Sequence, residues 1–558
     1  MKKIYLLLAM SLCASGIFAQ FAENWNVQYQ TTTAANFSNE GRRIVTDANS
    51  NVFVLGDFSS DLDSAGHNAG GTQNTVRIRK YDYLGNLIYW RCIQVGGLIN
   101  NGYDNRSGFG MELDASGNLY VGYSVLNASG NMDVVINKYT NTLSLLWSYT
   151  YATSTNDIGV AFKLSASTVY AVVKTYSGAN ATYSIVAAKS AGTSSVPLYS
   201  FTANVDVVND LILTSAKMIY CTGYSVVSGS RVVMTAAVNT LGALKWMSTY
   251  NHGSVTGDDY GTGLVIGSDG FIEVLGTTYT SAANGTDGLV LKYNTSGFLQ
   301  GTLFLNKTTT DIGGAIVVGP AGFVFVACSN ATSASVYKIQ TASPISAAAN
   351  ATYFPTPVSA FSAVTNVSIA DMKMAASNNI YLCGTVSANA GGGNFTASFL
   401  GKFGYLGFNF RLLNNIDVNG VFADNYSSVG LILDGYKNDI IYLRNNWGNN
   451  TNHASEKIDI SDLDGGASLR QMQESTLSEN SIPEFTVYPN PASEMITVAA
   501  PVEINSIEIS DLTGKIVRTV KVNSVEAQIL VSDLNKGLYV CKSTSVDGSV
   551  AIKRLVIN

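Results

Sequence analysis

A motif of short β-forming runs returns along most of this chain at a spacing of about 54 residues, and that spacing restricts the fold more than any other feature. Its fullest copy, residues 108–151, reads GFGMELDASGNLYVGYSVLNASGNMDVVINKYTNTLSLLWSYTY. Apolar runs at 110–113, 119–123, 134–139 and around Trp147 are separated by Asp, Gly and Asn. β-Branched and aromatic side chains suit a pleated, half-buried surface, and Gly and Asn tolerate the positive φ of tight turns. A four-stranded sheet of this size is marginal alone. Both faces of its inner strands are apolar, so it needs cover on both sides, and the simplest cover is another copy. A lysine closing the third run marks the copies: Lys80, Lys138, Lys189, Lys292, Lys338, Lys402 and Lys457, with Val238 in the fourth place. Seven intervals across the 377 residues from Lys80 to Lys457 set the period. Four strands per copy at this period predict an all-β chain whose main body is an eight-bladed β-propeller, with seven blades as the alternative.

The two ends of the array have complementary defects. Residues 24–29 (NWNVQY) look like an outermost strand with no blade before them, and Trp25, Trp90, Trp147 and Trp246 share that strand position. The last repeat has runs at 429–433, 440–443 and 457–460 and then no clear fourth. The N-terminal strand is therefore expected to complete the C-terminal blade, which removes free sheet edges. Blades are expected to begin near Gly41, Gly108, Gly159, Asp210, Gly261, Gly313, Ile369 and Ser427.

Composition narrows the setting. Residues 1–19 carry two lysines, an apolar run from Ile4 to Leu12 and small residues before Gln20, the pattern of a secretory signal peptide. No later segment is apolar for 18 residues, so no transmembrane segment is expected. Net charge is −6 with no basic block, which argues against nucleic acid as a partner. Five cysteines follow residue 19, an odd number scattered over separate repeats and the tail, which favours buried thiols over a disulfide framework.

The sequence of Asp-x-x-Gly-Asn, an apolar Tyr-Val run, Lys-Tyr, a Gly-containing turn and Trp resembles the bacterial propeller repeats called SBBP repeats, over residues 41–460. Residues 466–482 are polar and rich in Ser, Gln and Glu, as a linker is. Beyond them, seven short runs in some 75 residues suggest a small β-sandwich. Tyr488-Pro489-Asn490-Pro491-Ala492, Asp511-Leu-Thr-Gly514-Lys515, Leu534-Asn-Lys-Gly537-Leu-Tyr539 and Lys553-Arg-Leu-Val-Ile-Asn558 resemble the type A sorting domain of the type IX secretion system. The resemblance implies a Gram-negative bacterium, passage through the periplasm, and partners in the secretion machinery and its sortase. It also implies release to the medium or attachment at the outer cell surface. The expected domains are thus a signal peptide 1–19, a propeller 20–465, a linker 466–482 and a sorting domain 483–558.

Chemistry is sparse. Only His67, His252 and His453 are present, far apart, and no nucleophile elbow, His-Glu-x-x-His or Cys-x-x-Cys occurs. Asp61 with Asp63, and Asp459, Asp462 and Asp464, have partial calcium-loop spacing without the closing Glu, so no cofactor is expected. An acidic residue recurs ahead of the first strand: Asp104, Asp157, Asp210, Asp258 with Asp259, Asp311 and Asp424. Such carboxylates either accept backbone N–H bonds that fix the approach to the strand or ring the channel mouth. The second turns and the links between blades read as long, as in 57–74, 94–107 and 277–287, and long loops on a rigid scaffold carry recognition. Tyr103, Asp104, Asp259, Tyr260, Tyr426 and Trp447 are the candidate ligand-binding residues, since rings stack on sugar faces and carboxylates accept sugar hydroxyls. The recurrent lysines are expected to end strands with ammonium groups in water. A non-enzymatic binding or adhesion protein for a glycan or protein is the leading expectation. A polysaccharide-cleaving enzyme using loop carboxylates and a structural surface protein are the alternatives.

Overall fold

The computed structural model describes residues 23–29, 39–58, 75–83, 85–94, 108–253, 257–281, 285–305, 310–342, 345–353, 363–375, 378–390, 393–403, 410–415, 424–434, 439–448, 454–462, 485–511, 515–545 and 550–558. The signal peptide, the linker, Asp61, Asp63 and Asp464 lie outside them. The described residues are strands and turns, with no helix among them, and the chain divides into two compact units, Met1–Thr476 and Leu477–Asn558.

Among the described residues the first unit contains eight sheets in chain order, antiparallel but for one short strand. The second is typical: Gly108–Leu113, Leu119–Leu126, Met132–Tyr139 and Leu145–Tyr151 lie side by side. The eighth consists of Asp424–Asp434, Asp439–Gly448 and Ala454–Asp462, and its fourth place is taken by Glu23–Tyr29, which pairs antiparallel with Ala454–Asp462. First strands of successive sheets pack against one another, and the eighth packs against the first. The third sheet departs from the pattern. Its fourth strand is only Tyr199–Ser200, and the preceding Gly192–Ser194 crosses to pair parallel with Leu145–Tyr151 of the second sheet.

Every first strand shares a register shift, between Gly41/Arg43, Gly108/Gly110, Gly159/Ala161, Val208/Asp210, Gly261/Gly263, Gly313/Ala315, Ile369/Asp371 and Ser428/Gly430, and the seventh has a second one between Val364 and Asn366. Such bulges sharpen the twist and re-aim side chains. Glycine recurs there because the neighbouring sheet needs the room: the Phe109 ring lies on Gly159, and the Phe162 ring lies on Gly110. The two rings meet edge to face at 6.1 Å. Polar side chains beside the bulges bond to the backbone of the next sheet. Arg43 donates to the Phe109 carbonyl (3.0 Å) and Asn209 to the Gly261 carbonyl (2.8 Å). Glu112, Asp210 and Asp371 accept from the amides of Leu164 (2.9 Å), Leu264 (3.3 Å) and Leu431 (3.3 Å). Apolar clusters fill the spaces between sheets, as where Phe53, Leu55 and Ile78 meet Met111, Val121 and Tyr139.

The lysine repeat is real in five sheets and displaced in three. The second or third residue of each second strand is Phe53, Tyr120, Tyr170, Tyr220, Glu273, Phe325, Tyr381 or Ile441, and the residues opposite are Lys80, Lys138, Ala187, Ala237, Lys292, Lys338, Lys402 and Ile460. Lys189, Val238 and Lys457 therefore lie off the shared register. Nor do the ammonium groups all face water. Lys80 lies over the Phe53 ring (4.8 Å), 3.4 Å from Asp47, and donates to Asn141 of the second sheet's last turn. Lys292 bonds Asp269 (2.6 Å) and the Thr341 carbonyl of the sixth sheet, over the Phe271 ring (4.2 Å). The ring face favours each ammonium, while at Lys80 burial lowers the pKa against the pull of Asp47.

The fifth sheet carries Glu273 where most of its counterparts carry a ring. Its carboxylate is fully buried, neither oxygen has a hydrogen-bond partner among the described residues, and the Lys292 ammonium is 3.7 Å away. Burial drives its pKa up, Lys292 pulls it down and Asp269 raises it again, leaving it at about 7 against an ordinary 4.5.

The second unit wraps one core of Phe485, Ile496, Val498, Ile507, Ile509, Tyr539, Leu555 and others. Instead of two separate sheets it forms one bent sheet. A strand has two edges, yet Met495–Asp511 pairs with Thr486–Tyr488, Ile516–Leu530 and Gly537–Ser545. It does so because its two halves, on either side of a register shift between Ala499 and Ile504, have different neighbours. A parallel bridge from Ala492 to Ile557 of the last strand, Val550–Ile557, brings the ends of the sheet together into a near-barrel.

Two outcomes follow. A folded-state pKa above the unfolded value means that the Glu273 contribution to stability is full below about pH 4.5 and lost as pH rises to about 7. Replacing Glu273 by Gln should flatten that part of the melting-temperature profile between pH 5 and 8 and raise the melting temperature at pH 8. Gly159→Val should force the Phe109 ring aside and cost about 1–3 kcal/mol in denaturant unfolding.

Candidate binding face

The aspartates ahead of the first strands repeat one local device. Asp157 accepts the Thr153 amide (2.7 Å) and the Thr175 hydroxyl (2.6 Å). Asp206 accepts the Thr202 amide (3.0 Å) and the Ser225 hydroxyl (2.6 Å). Asp259 accepts the His252 amide (3.0 Å), the Thr278 hydroxyl (2.7 Å) and the Tyr279 amide (3.1 Å). Asp311 accepts from the Asn330 side-chain amide (3.0 Å). Each carboxylate ties the incoming chain to its own sheet's second strand. In the fourth sheet this place belongs to Asp206, whereas the expected Asp210 lies inside the strand, where burial raises its pKa against the pull of Lys163 and the Leu264 amide.

The candidate ligand-binding residues are dispersed. Asp259 is buried and its oxygens are engaged, while Tyr260 opens the strand Tyr260–Ile266 and is half-buried. Tyr426 and Trp447 lie on adjacent strands of the eighth sheet, opposite Asn446 and Asn425. Tyr103 and Asp104 fall outside the described residues. Asp459 and Asp462 lie in the paired strand Ala454–Asp462, not in a calcium-type loop.

Of the loops expected to be long at this end, 59–74 and 95–107 lie outside the described residues, and the described turns are short. Second and third strands are joined through Gly178-Ala179 in the third sheet and Ser228-Gly229 in the fourth, where Gly178, Ser228 and Gly229 have positive φ. In the fifth sheet strand persists to Ser281 and resumes at Gly285, so 277–287 is mostly β. Tight two-residue turns leave the strand ends uncovered. Those ends carry residues that no sequence motif marks. The Lys174 ammonium lies over the rings of Tyr176 (4.5 Å) and Tyr183 (5.8 Å), and the Arg231 guanidinium lies over Tyr224 (4.8 Å) and 3.6 Å from Asp258. Strand alternation could have found them, because Lys-x-Tyr just before a two-residue turn puts cation and ring on one face.

In the second unit the motif residues have separable tasks. Asn490 clamps the last strand, donating to the Arg554 carbonyl (2.7 Å) and accepting from the Val556 amide (2.9 Å). Ala492 adds bonds to the Val556 carbonyl and from the Asn558 amide, each 2.8 Å. Tyr539 donates to the Asn535 carbonyl (2.9 Å), fixing the loop that begins Leu534-Asn-Lys-Gly537. The Tyr488 ring is half-exposed, and its hydroxyl reaches Glu526 at 3.4 Å. Lys515 donates its amide to Asp511, Lys553 lies opposite Cys541, and Gly514 falls outside the described residues.

Residues 486–558 match the family described as the secretion system C-terminal sorting domain. The C-terminal unit is thus a type IX secretion sorting domain, and the chain is a cargo exported to the cell surface or released, through contact with that machinery. No curated protein sequence matches the chain. Among solved structures it is similar to PorZ, a surface component of the type IX secretion system of Porphyromonas gingivalis, with 10% identity over 92% of this chain and 74% of that one and a TM-score of 0.34. It is also similar to a PL25 ulvan lyase (10% identity, 67% and 96% covered, TM-score 0.40). A third is the β-propeller domain of the trilobed protease of Pyrococcus furiosus (9% identity, 78% and 100% covered, TM-score 0.32). At these scores the likenesses assign neither ligand nor activity.

Asn490→Ala should speed amide hydrogen exchange across 553–557 at least tenfold without unfolding the first unit, because it removes both clamps on the last strand.

Proposed function

We propose that residues 20–465 form an eight-bladed propeller of the SBBP-repeat kind, sealed by Glu23–Tyr29, that serves as a non-enzymatic binding or adhesion module for a glycan or protein. It follows a signal peptide, residues 1–19, and a linker, 466–482, joins it to the sorting domain, 483–558, which the type IX machinery and its sortase read. The cyclic packing of first strands and the pairing of Glu23–Tyr29 with Ala454–Asp462 support the sealed ring.

The observation that carries the binding role is how the carboxylates at the candidate face are used. Asp157, Asp206 and Asp259 are buried and committed to hydrogen bonds within their own sheets, whereas Tyr176, Tyr183, Tyr224 and Tyr260 keep part of their rings open. General acid or base work needs a carboxyl group that can reach a substrate proton. Rings need only be flat and accessible. Tyr260, Tyr426 and Trp447, with Tyr103 and Asp104, are proposed as further contributors, and Asp259 acts by holding His252 and Tyr279 in place.

The full chain, applied to an array of glycans and incubated in parallel with a polysaccharide panel, should be retained on a subset of glycans and release no reducing ends. Release of reducing ends without stable retention would replace this reading with the polysaccharide-cleaving one.

A further inference from the structure

We infer that the ends of the third and fourth sheets form a binding stripe for an acidic polysaccharide, centred on Lys174, Tyr176, Tyr183, Tyr224 and Arg231. This rests on the reading of the propeller as a binding module and names its ligand class. Lys80, Lys138 and Lys292 each have a carboxylate 2.6–3.4 Å away. Lys174 has no carboxylate in ion-pair reach among the described residues, although it is half-buried between two tyrosine rings. A cation held that way keeps its charge through the ring faces and leaves its remaining valence for an anion from outside.

Register explains why the two constellations work together. Thr175 and Ser225 make the same bond to their entry aspartates, so Lys174 and Tyr224 hold the same position in successive sheets. Tyr183 is directly opposite Lys174, and Tyr176 is two residues along the same strand. The Tyr224 hydroxyl is near enough to that of Tyr183 to contribute to its raised pKa. In the fourth sheet Arg231 is two positions toward the turn, and both it and Asp258 are about half-exposed, so their ion pair is screened and exchangeable. Two-residue turns leave this row open. Cations and ring faces repeated from one sheet to the next fit a chain of pyranose units bearing carboxylate or sulfate groups. Apolar sugar faces lie on the tyrosines and anionic groups meet Lys174 and Arg231. An acidic peptide offers the charges but not the flat faces.

The test titrates the full chain with dextran sulfate, polygalacturonate, uncharged dextran and poly-L-glutamate. The two acidic polysaccharides should bind, and their affinity should fall at least tenfold between about 50 and 500 mM salt. Dextran and poly-L-glutamate should bind at least tenfold more weakly. Lys174→Ala with Arg231→Ala should weaken polysaccharide binding at least tenfold, and Lys174→Arg should retain it. Lys189→Ala, which removes one exposed charge at the far end of the same hairpin, should leave it unchanged. Tyr176→Leu with Tyr224→Leu keeps both cations and should still weaken binding, with circular dichroism unchanged. Equal binding of poly-L-glutamate, or wild-type affinity in the double cation variant, overturns the stripe. Retention of other glycans by that variant would leave the broader binding role standing.

Discussion

Inner strands of the second, third, fourth and sixth sheets are buried on both faces, and that single condition forces the arrangement around them. A sheet of four strands with buried inner strands has nowhere to put its second face except against a neighbour, and the neighbour has the same need. Apolar packing alone would let such sheets slide past one another. The hydrogen bonds from Arg43, Glu112, Asn209, Asp210 and Asp371 to the backbone of the following sheet remove that freedom, because a backbone group has a fixed place in the register. Bulges beside these residues supply the twist, and glycines at the bulges admit the neighbouring sheet closely: aromatic rings at Gly110 and Gly159, Thr222 at Gly261 and Leu275 at Gly313.

The repeat is tolerant in one place and strict in another. Where the second strand begins, a ring faces a lysine in four sheets, a ring faces alanine in two, and the fifth sheet replaces the ring with Glu273. The bulge, by contrast, is kept at one position in all eight first strands, since moving it would turn every inward side chain outward.

The strand pattern, the period and the outer-strand tryptophans were legible because they follow from alternation and turn chemistry, which are local. Trp25, Trp147 and Trp246 hold the same register, opposite Ile460, Lys138 and Ala237, while Trp90 sits one place off with Tyr89 in its stead. The lysine marker misled in the third, fourth and eighth sheets: Lys189 lies past the end of its strand, and Val238 and Lys457, one and three places from Ala237 and Ile460, fall on the other face, a difference that the residue type does not show. Turn length misled too: Thr277, Thr278 and Tyr279 read as loop, yet cross-strand bonds carry the hairpin to Ser281. Asp206 and Asp210 differ by four positions, and only the hydroxyl of Ser225 tells which one guards the strand entry. The cation–tyrosine groups escaped notice because their meaning lies in pairing across strands. In the C-terminal unit the motifs were plain in sequence, and Asn490 matters because it joins the start of the domain to its end.

The eighth sheet takes its outermost strand from the opposite terminus, and this governs the order in which the molecule can be finished. Glu23–Tyr29 is synthesised before any partner it will use, and more than 400 residues separate it from Ala454–Asp462. Seven sheets can mature from local hairpins while this segment waits, and the costly long-distance closure comes at the end. A chain interrupted anywhere before residue 454 therefore keeps an unpaired strand at its head, so completeness of synthesis is written into whether the eighth sheet gains its fourth strand.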